Sequence, residues 1–174
     1  MELSYKPCSF NDLSQLMLIS RKTFVEAFEN DNDPLDFKNY IDRAFSNDTL
    51  AIELQNTESH FYFVYHEQTL VAYFKLNEGN AQTDGKLVDS IELERIYVIA
   101  SYQGKRLGEE ILNQIKHIAL QRKKNSLWLG VWEHNQRAIK FYQRNAFKKF
   151  GTHPYFIGND EQTDWLMRFD LSTL

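Results

Sequence analysis

The chain has 174 residues, 43% of them apolar and 14% aromatic, with a formal net charge of -4. That composition excludes a disordered chain, and a net-negative balance without a basic stripe excludes the electrostatics of direct nucleic-acid binding. A single cysteine, Cys8, rules out an internal disulfide and fits a reducing, cytoplasmic setting; no apolar run approaches the roughly 20 residues of a membrane-spanning helix.

No internal repeat interrupts the chain, so residues 1–174 are expected to form one domain. Residues 3–6 read as a short first strand, and Cys8 beside it as a simply buried thiol. From 11 to 29 the apolar positions Leu13, Leu16, Met17, Phe24 and Phe28 recur at helical spacing. The run from Asn30 to Pro34 breaks that helix. A second helix carries Phe37, Tyr40, Ile41 and Phe45, and a third is expected over 48–55. The period then changes: 61–65 and 70–76 flank His66-Glu67-Gln68-Thr69, a hairpin signature. A polar loop over 77–86 leads to a long strand over 88–99. A helix over 104–122 follows, with Leu107, Ile111, Ile115, Ile118 and Ala119 on one face and Asn125 as its left-handed stop. A strand over 127–132, a helix over 135–144 and two strands over 147–156 and 163–171 complete the order. Hairpins followed by strand–helix–strand–helix–strand imply an α/β (α+β) mixed sheet of six to seven strands, mostly antiparallel, with helices on both faces.

Chemistry concentrates where the strand ending Leu93-Glu94-Arg95-Ile96-Tyr97-Val98 turns through Gln103-Gly104-Lys105-Arg106-Leu107-Gly108-Glu109 into a helix. The first turn of a helix has unpaired N–H groups and a positive partial charge, and a glycine-bearing turn lets those groups approach a pyrophosphate. Two glycines alone also fit a tight strand-to-helix turn with no ligand.

The run Gln103-x-x-Arg106-x-Gly108 resembles the acetyl-CoA-binding signature of GNAT (Gcn5-related) N-acetyltransferases, Gln/Arg-x-x-Gly-x-Gly/Ala. A second block, Asn135-x-x-Ala138-Ile139-x-Phe141-Tyr142 with Ala146-Phe147 after it, is similar to that family's last helix. The runs 93–98, 128–133 and 158–164 look like the PaiA-type bacterial subgroup, which acetylates spermidine and spermine. The chain departs from the pattern at Arg106, where a glycine is usual, and at Ala146, where Asn145 is available as the left-handed residue instead. If Arg106 sits at positive φ it is strained; if not, its guanidinium gains a phosphate contact.

The resemblance implies a GNAT fold and an enzyme moving acetyl from acetyl-CoA directly to a primary amine, most often a polyamine. It implies cofactor contacts from Ile96, Tyr97, Val98, Gln103, Gly104, Lys105, Arg106, Leu107, Gly108, Glu109, Asn135 and Tyr142. Tyr142 would act as acid toward the departing thiolate, or otherwise be a core aromatic. Glu94, on one strand face with Glu92, would help remove the amine proton; a salt bridge with a nearby Lys or Arg is the equal alternative. The acidic run Glu26, Glu29, Asp31, Asp33 and Asp36, and Asp160, Glu161 and Asp164, would suit a polycation or be solvated loops. His60, His66, His117, His134 and His153 show no metal-ligand spacing, so no metal is expected. Another amine acceptor, such as a protein N-terminus, or a non-catalytic acetyl-CoA sensor are the competing functions, and a homodimer is an open state.

Overall fold

The computed structural model describes residues 2–84, 87–157 and 160–174. Gly158 and Asn159 of the quoted 158–164 run, and Gly85 and Lys86 at the end of the polar loop, lie outside the described residues. Seven strands form one mixed sheet: β1 (Leu3–Pro7), β2 (Ser59–His66), β3 (Thr69–Asn77), β4 (Ser90–Val98), β5 (Ser126–Trp132), β6 (Lys148–Ile157) and β7 (Asp160–Asp170). Their order is β1-β2-β3-β4-β5-β7-β6. Every neighbouring pair is antiparallel except β4 and β5. Among the described residues five α-helices cover it: α1 (Leu13–Phe28), α2 (Pro34–Ala44), α3 (Asn47–Gln55), α4 (Leu107–Gln121) and α5 (Gln136–Arg144). None of the described helices is long and apolar enough to cross a membrane.

Alternation along the strands divides the core. On β2, Phe61 and Phe63 turn toward Leu16 and Ile19 of α1 and Leu50 of α3. Tyr62 between them and Val64 after them turn to the opposite face, with Ile111 and Ile115 of α4 and Ile139 and Tyr142 of α5. A third cluster of Phe24, Phe37, Ile41, Phe45 and Ile157 joins α1 and α2 to the end of β6. Thus α4 and α5 cover one face and α1, α2 and α3 the other.

The helix breaker expected at Asn30 to Pro34 starts the next helix as well. Asp33 caps α2 by accepting from Leu35 and Asp36 N–H, with Pro34 in the first turn. The two left-handed stops fall at other residues than expected. Lys123 (φ 58°) and Ala146 (φ 66°) are left-handed, not Asn125 and Asn145. The cause is the Schellman pattern: Lys123 N–H donates to Leu120 and Lys124 N–H to Ala119, while Ala146 N–H donates to Gln143 and Phe147 N–H to Tyr142. That ladder fixes the left-handed residue one position past the cap whatever its side chain. Asn125 is occupied otherwise, donating its N–H to Asp89.

A register shift in the β3–β4 pairing, from Lys75 opposite Arg95 to Leu76 opposite Leu93, leaves Glu94 as the extra residue of a bulge. A bulge puts two residues against one. Glu94 and Arg95 therefore both turn to the α1–α3 side. There Arg95 makes a two-pronged contact with Glu53 of α3, 3.0 Å on each arm, and its Nη2 lies 3.1 Å from Glu94. Lys75 Nζ lies 2.6 Å from Glu94 and 3.2 Å from Glu53. Two anions and two cations are thus closed into a neutral square over the Phe61 ring. Asn77 adds its amide N–H to Glu94 and also to Glu92, 3.1 Å away. Burial raises the Glu92 carboxyl, against hydrogen bonds from Thr83 that lower it.

Burial alone would raise the Glu94 carboxyl too, but Arg95, Lys75 and the hydrogen bonds outweigh it and bring its pKa to about 2. The folded value lies below the unfolded one near 4.3, so folding favours the ionised form. Its contribution of about 3 kcal/mol is complete above about pH 5 and is lost as the pH falls toward 2. Glu94→Gln leaves two buried cations facing one anion, and we expect a loss of about 3 kcal/mol at pH 7. Urea denaturation across pH 2–7 checks this: the variant should show a flatter acid limb than the parent, and equal limbs would contradict the assignment.

Candidate active site

β4 and β5 pair only from Ser90 to Glu92 against Ser126 to Trp128. Beyond that point β4 keeps β3 on one side and β5 keeps β7 on one side. Each strand therefore turns a free edge toward the other. Between those edges lies a cleft of about 730 Å³, in the usual range for a ligand pocket. Ile96, Tyr97 and Val98 line one wall and Gly130, Val131 and Trp132 the other. Both rows are half-paired backbone, able to hydrogen-bond an extended chain that carries amides.

At one end the cleft meets the N-terminus of α4. Gly104 (φ 77°) and Arg106 (φ 63°) are both left-handed. So the position where the signature usually has glycine does require positive φ, and Arg106 holds it at a strain of about 1–2 kcal/mol. Among the described residues the amides of Gly104, Lys105 and Arg106 make no backbone hydrogen bond. A Cβ on Gly104 would have nothing within 4 Å, so the turn is open to an incoming group. Successive amides in such a turn, joined to a helix N-terminus, make an anion-binding concavity. Arg106, Arg137 and Arg144 add positive charge along the cleft.

Most of the expected cofactor residues meet here: Ile96, Tyr97, Val98, Gln103, Gly104, Arg106, Leu107, Gly108, Glu109, Asn135 and Tyr142 all line the cleft. Lys105 does not; its ammonium lies 4.8 Å above the Tyr102 ring. Gln103 directs its amide inward, donating to Val98 O at 3.0 Å and accepting from Arg137 at 3.4 Å, which ties the turn to the strand end and to α5. Asn135 is the cap of α5, accepting from Ala138 N–H at 3.1 Å, rather than a residue within the helix.

Tyr142 stands on α5 with its ring 5.3 Å from Phe141 and 5.6 Å from Phe147. Burial pushes its phenol well above the ordinary value, so it is protonated at any working pH and can donate a hydrogen bond. Glu94 also borders the cleft, but not as the free base expected. Its carboxylate is held by Lys75 and Arg95, and a group titrating near 2 is a poor recipient for an amine proton. The salt-bridge alternative is the one the structure takes.

The other wall and roof come from residues that sequence reasoning left unassigned. Thr23, Phe24 and Phe28 of α1 face the cleft, as do Tyr155 and Gln162 of the last hairpin. Gln162 donates to Asn32 Oδ1 at 3.0 Å, Asn32 donates to Phe28 O at 2.8 Å, and the hydroxyls of Tyr40 and Tyr155 are in contact. These bonds fasten the α1–α2 turn across to β6 and β7. Phe24 and Phe28 lay in the apolar stripe of α1 and Gln162 in the 158–164 run; nothing marked Tyr155. Of the acidic run, Glu26 borders the cleft and accepts from Ala100 N–H at 3.2 Å, while Asp33 is a helix cap. Asp164 also borders the cleft, on the Glu94 side of the sheet. No group of three or more acidic, His or Cys side chains among the described residues is arranged to hold a metal ion.

Comparison with known proteins agrees with this geometry. An uncharacterized N-acetyltransferase of Lactobacillus delbrueckii subsp. lactis is 34% identical over 160 residues, 92% of each chain. A spermine/spermidine N(1)-acetyltransferase of Bacillus subtilis is 30% identical over 95 residues, 52% of this chain and 62% of that one. The crystal structure of the PaiA N-acetyltransferase from Thermoplasma acidophilum, a complex with coenzyme A, superposes with a TM-score of 0.76 at 20% identity, covering 98% of this chain and 99% of that one. The model of the acetyltransferase (GNAT) family matches residues 15–147, and the chain belongs to that family.

Proposed function

We propose that the cleft binds acetyl-CoA together with an amine and that the acetyl group passes directly between them, with a polyamine such as spermidine or spermine as acceptor. The observation that carries the reading is the pair of free strand edges leading to the left-handed amide turn. A pantetheine arm has two amides to offer the edges of β4 and β5, and a pyrophosphate suits the amides of Gly104 to Arg106 with the Arg106 guanidinium beside them. When bound, acetyl-CoA supplies a thioester carbonyl activated toward amines.

The chain's own residues then have two tasks. The first concerns the leaving sulfur. A thiol titrates near 8.5, so its thiolate gains from a hydrogen bond as the carbon–sulfur bond breaks. Tyr142, buried and always protonated, is the donor on the cleft wall. With its phenol raised so far, hydrogen bonding to the sulfur is favourable and complete proton transfer is reserved for the end of the reaction. The second task is to hold the acceptor. An alkylammonium titrates near 10.4, so at pH 7 only about one molecule in a few thousand is a free amine. Phe24, Phe28 and Tyr97 make an apolar wall that disfavours the cation. Glu26 and Asp164 border the same space with negative charge. That combination suits an amine with a second cationic centre, and the Bacillus relative named for spermine and spermidine supports it.

Release of CoA, read with a thiol reagent, tests the reading with acetyl-CoA and, in parallel, spermidine, spermine, lysine and a short peptide. We expect saturable turnover with the polyamines and a loss of roughly a hundredfold or more in kcat for Tyr142→Phe. Turnover with the peptide alone moves the acceptor to a protein N-terminus, and no turnover despite acetyl-CoA binding removes the enzymatic reading.

Arg106→Gly separates strain from charge. Relief of the left-handed strain, less the extra freedom glycine has when unfolded, should leave a gain of about 0.5–1 kcal/mol. Loss of the guanidinium should raise the KM for acetyl-CoA about tenfold. A denaturation midpoint and a KM measured on one preparation check both signs.

A further inference from the structure

With Glu94 closed into its charge square, the proton that the acceptor must lose has no recipient on β4. The neighbouring strand supplies another arrangement. Gly130 lies in the middle of β5 and faces the α1–α3 side, since Leu129 and Val131 on either side of it pack with α4 and α5. A Cβ at Gly130 would stand 3.2 Å from Asp164 Oδ2 and 3.5 Å from His153 Nε2. Two side chains from β7 and β6 therefore lean over bare backbone at the place where β4 has moved away. Register brings them there: Trp132 is opposite Asp164, Asp164 is opposite His153, and Gly130 and Gly151 are both opposite Leu166.

Their spacing is too long for a direct hydrogen bond and suits a relay through one bridging water. His153 Nε2 lies 3.9 Å from Asp164 Oδ2, and its Nδ1 lies 3.9 Å from Asp84 Oδ2 on the far side of the ring. Among the described residues the charged groups facing the imidazole are Asp84, from the loop between β3 and β4, and Asp164, from β7. Asp164 borders the cleft, and its side chain is 14% exposed against 18% for His153. Both are sheltered from bulk water yet still in reach of it.

We propose that Asp164 receives the ammonium end of the acceptor at Gly130 and that His153, behind it, takes the proton the amine must lose before attack. This rests on the reading of the cleft as an amine acetyltransferase site. In the step, one N–H bond of the ammonium breaks and its electron pair stays on nitrogen as the attacking lone pair. The proton passes by way of Asp164 Oδ2 and one bridging water to an unprotonated Nε2 of His153. The resulting imidazolium lies between two carboxylates and returns the proton to water. A second N–H proton leaves as the amide forms and ends on the CoA sulfur, on the Tyr142 side, so protons and charge balance.

The experiment measures kcat and KM for spermidine and for acetyl-CoA from pH 5.5 to 9 in the parent, Asp164→Asn, His153→Gln and Gly130→Ala. Imidazole is the side chain whose charge ordinarily changes between about pH 5 and 8. His153→Gln should lower kcat roughly a hundredfold and abolish the ascending limb of the profile in that range. Asp164→Asn should raise the spermidine KM about tenfold while the acetyl-CoA KM stays fixed. Gly130→Ala, whose methyl group meets both side chains, should reproduce both changes in milder form without removing either group. An unchanged melting temperature identifies the variants as folded. An active parent whose limb and spermidine KM survive in all three variants overturns this proposal alone. A parent inactive toward every amine overturns the proposed function and this inference with it.

Discussion

Parallel pairing between β4 and β5 stops after Glu92, and the buried charges that follow help explain how β4 can leave its neighbour without collapsing. A strand that loses a partner exposes a row of unpaired amides and carbonyls, which is costly unless something holds it in place. Here the bulge at Glu94 turns two successive charged residues to one face, where Lys75 and Glu53 close them into a square. The square pins β4 to β3 and to α3, with Glu94 at the border of the cleft. A neutral set of four buried charges is far cheaper than any three of them, so the arrangement resists partial loss. The gap between the strands is therefore a built feature with a rigid edge.

That constraint also decides which carboxylate is available for chemistry. Glu92 and Glu94 are in phase along β4, and in the sequence Glu94 is the better candidate of the two by family resemblance. Packing separates them. Glu92 is buried with Thr83 and Asn77, and Glu94 is matched by two cations. Asp164 belongs to a different strand and comes to the cleft only because β7 sits between β5 and β6 in the sheet. The negative groups at the cleft thus differ in kind: Glu94 is a fixed charge with its own counterions, while Asp164 faces a histidine.

The elements were legible in the sequence because they rest on local pattern. Alternation across 61–65 and 70–76, the stripe through Leu107, Ile111 and Ile115, and the proline at 34 each report a contact made within a few residues. The amide turn was legible for the same reason, since it is a run of consecutive residues. What escaped depends on pairs distant in sequence. Neither the union of Lys75 with Glu94 nor that of His153 with Asp164 and Gly130 leaves any mark of spacing, because register across strands creates them. The left-handed residues show a third kind of limit. Asn125 and Asn145 are better suited than Lys123 and Ala146 to positive φ, yet the hydrogen bonds of the helix end fix the position and the side chain follows.

Arg106 joins these themes. Its conformation is the one glycine adopts without strain, and its guanidinium stands where a helix N-terminus and three free amides already favour an anion. Strain of about 1–2 kcal/mol persists only where surrounding structure over-determines the backbone. Here the neighbouring turn does so: Gln103 ties it to the end of β4 through Val98 and to α5 through Arg137. The same two bonds that hold Arg106 in its strained form also set the distance between the free edge of β4 and the helix carrying Tyr142. Anion cradle, strand edge and hydrogen-bond donor are in this way fixed relative to one another before any ligand arrives, which is the condition under which binding contributes to rate rather than to rearrangement.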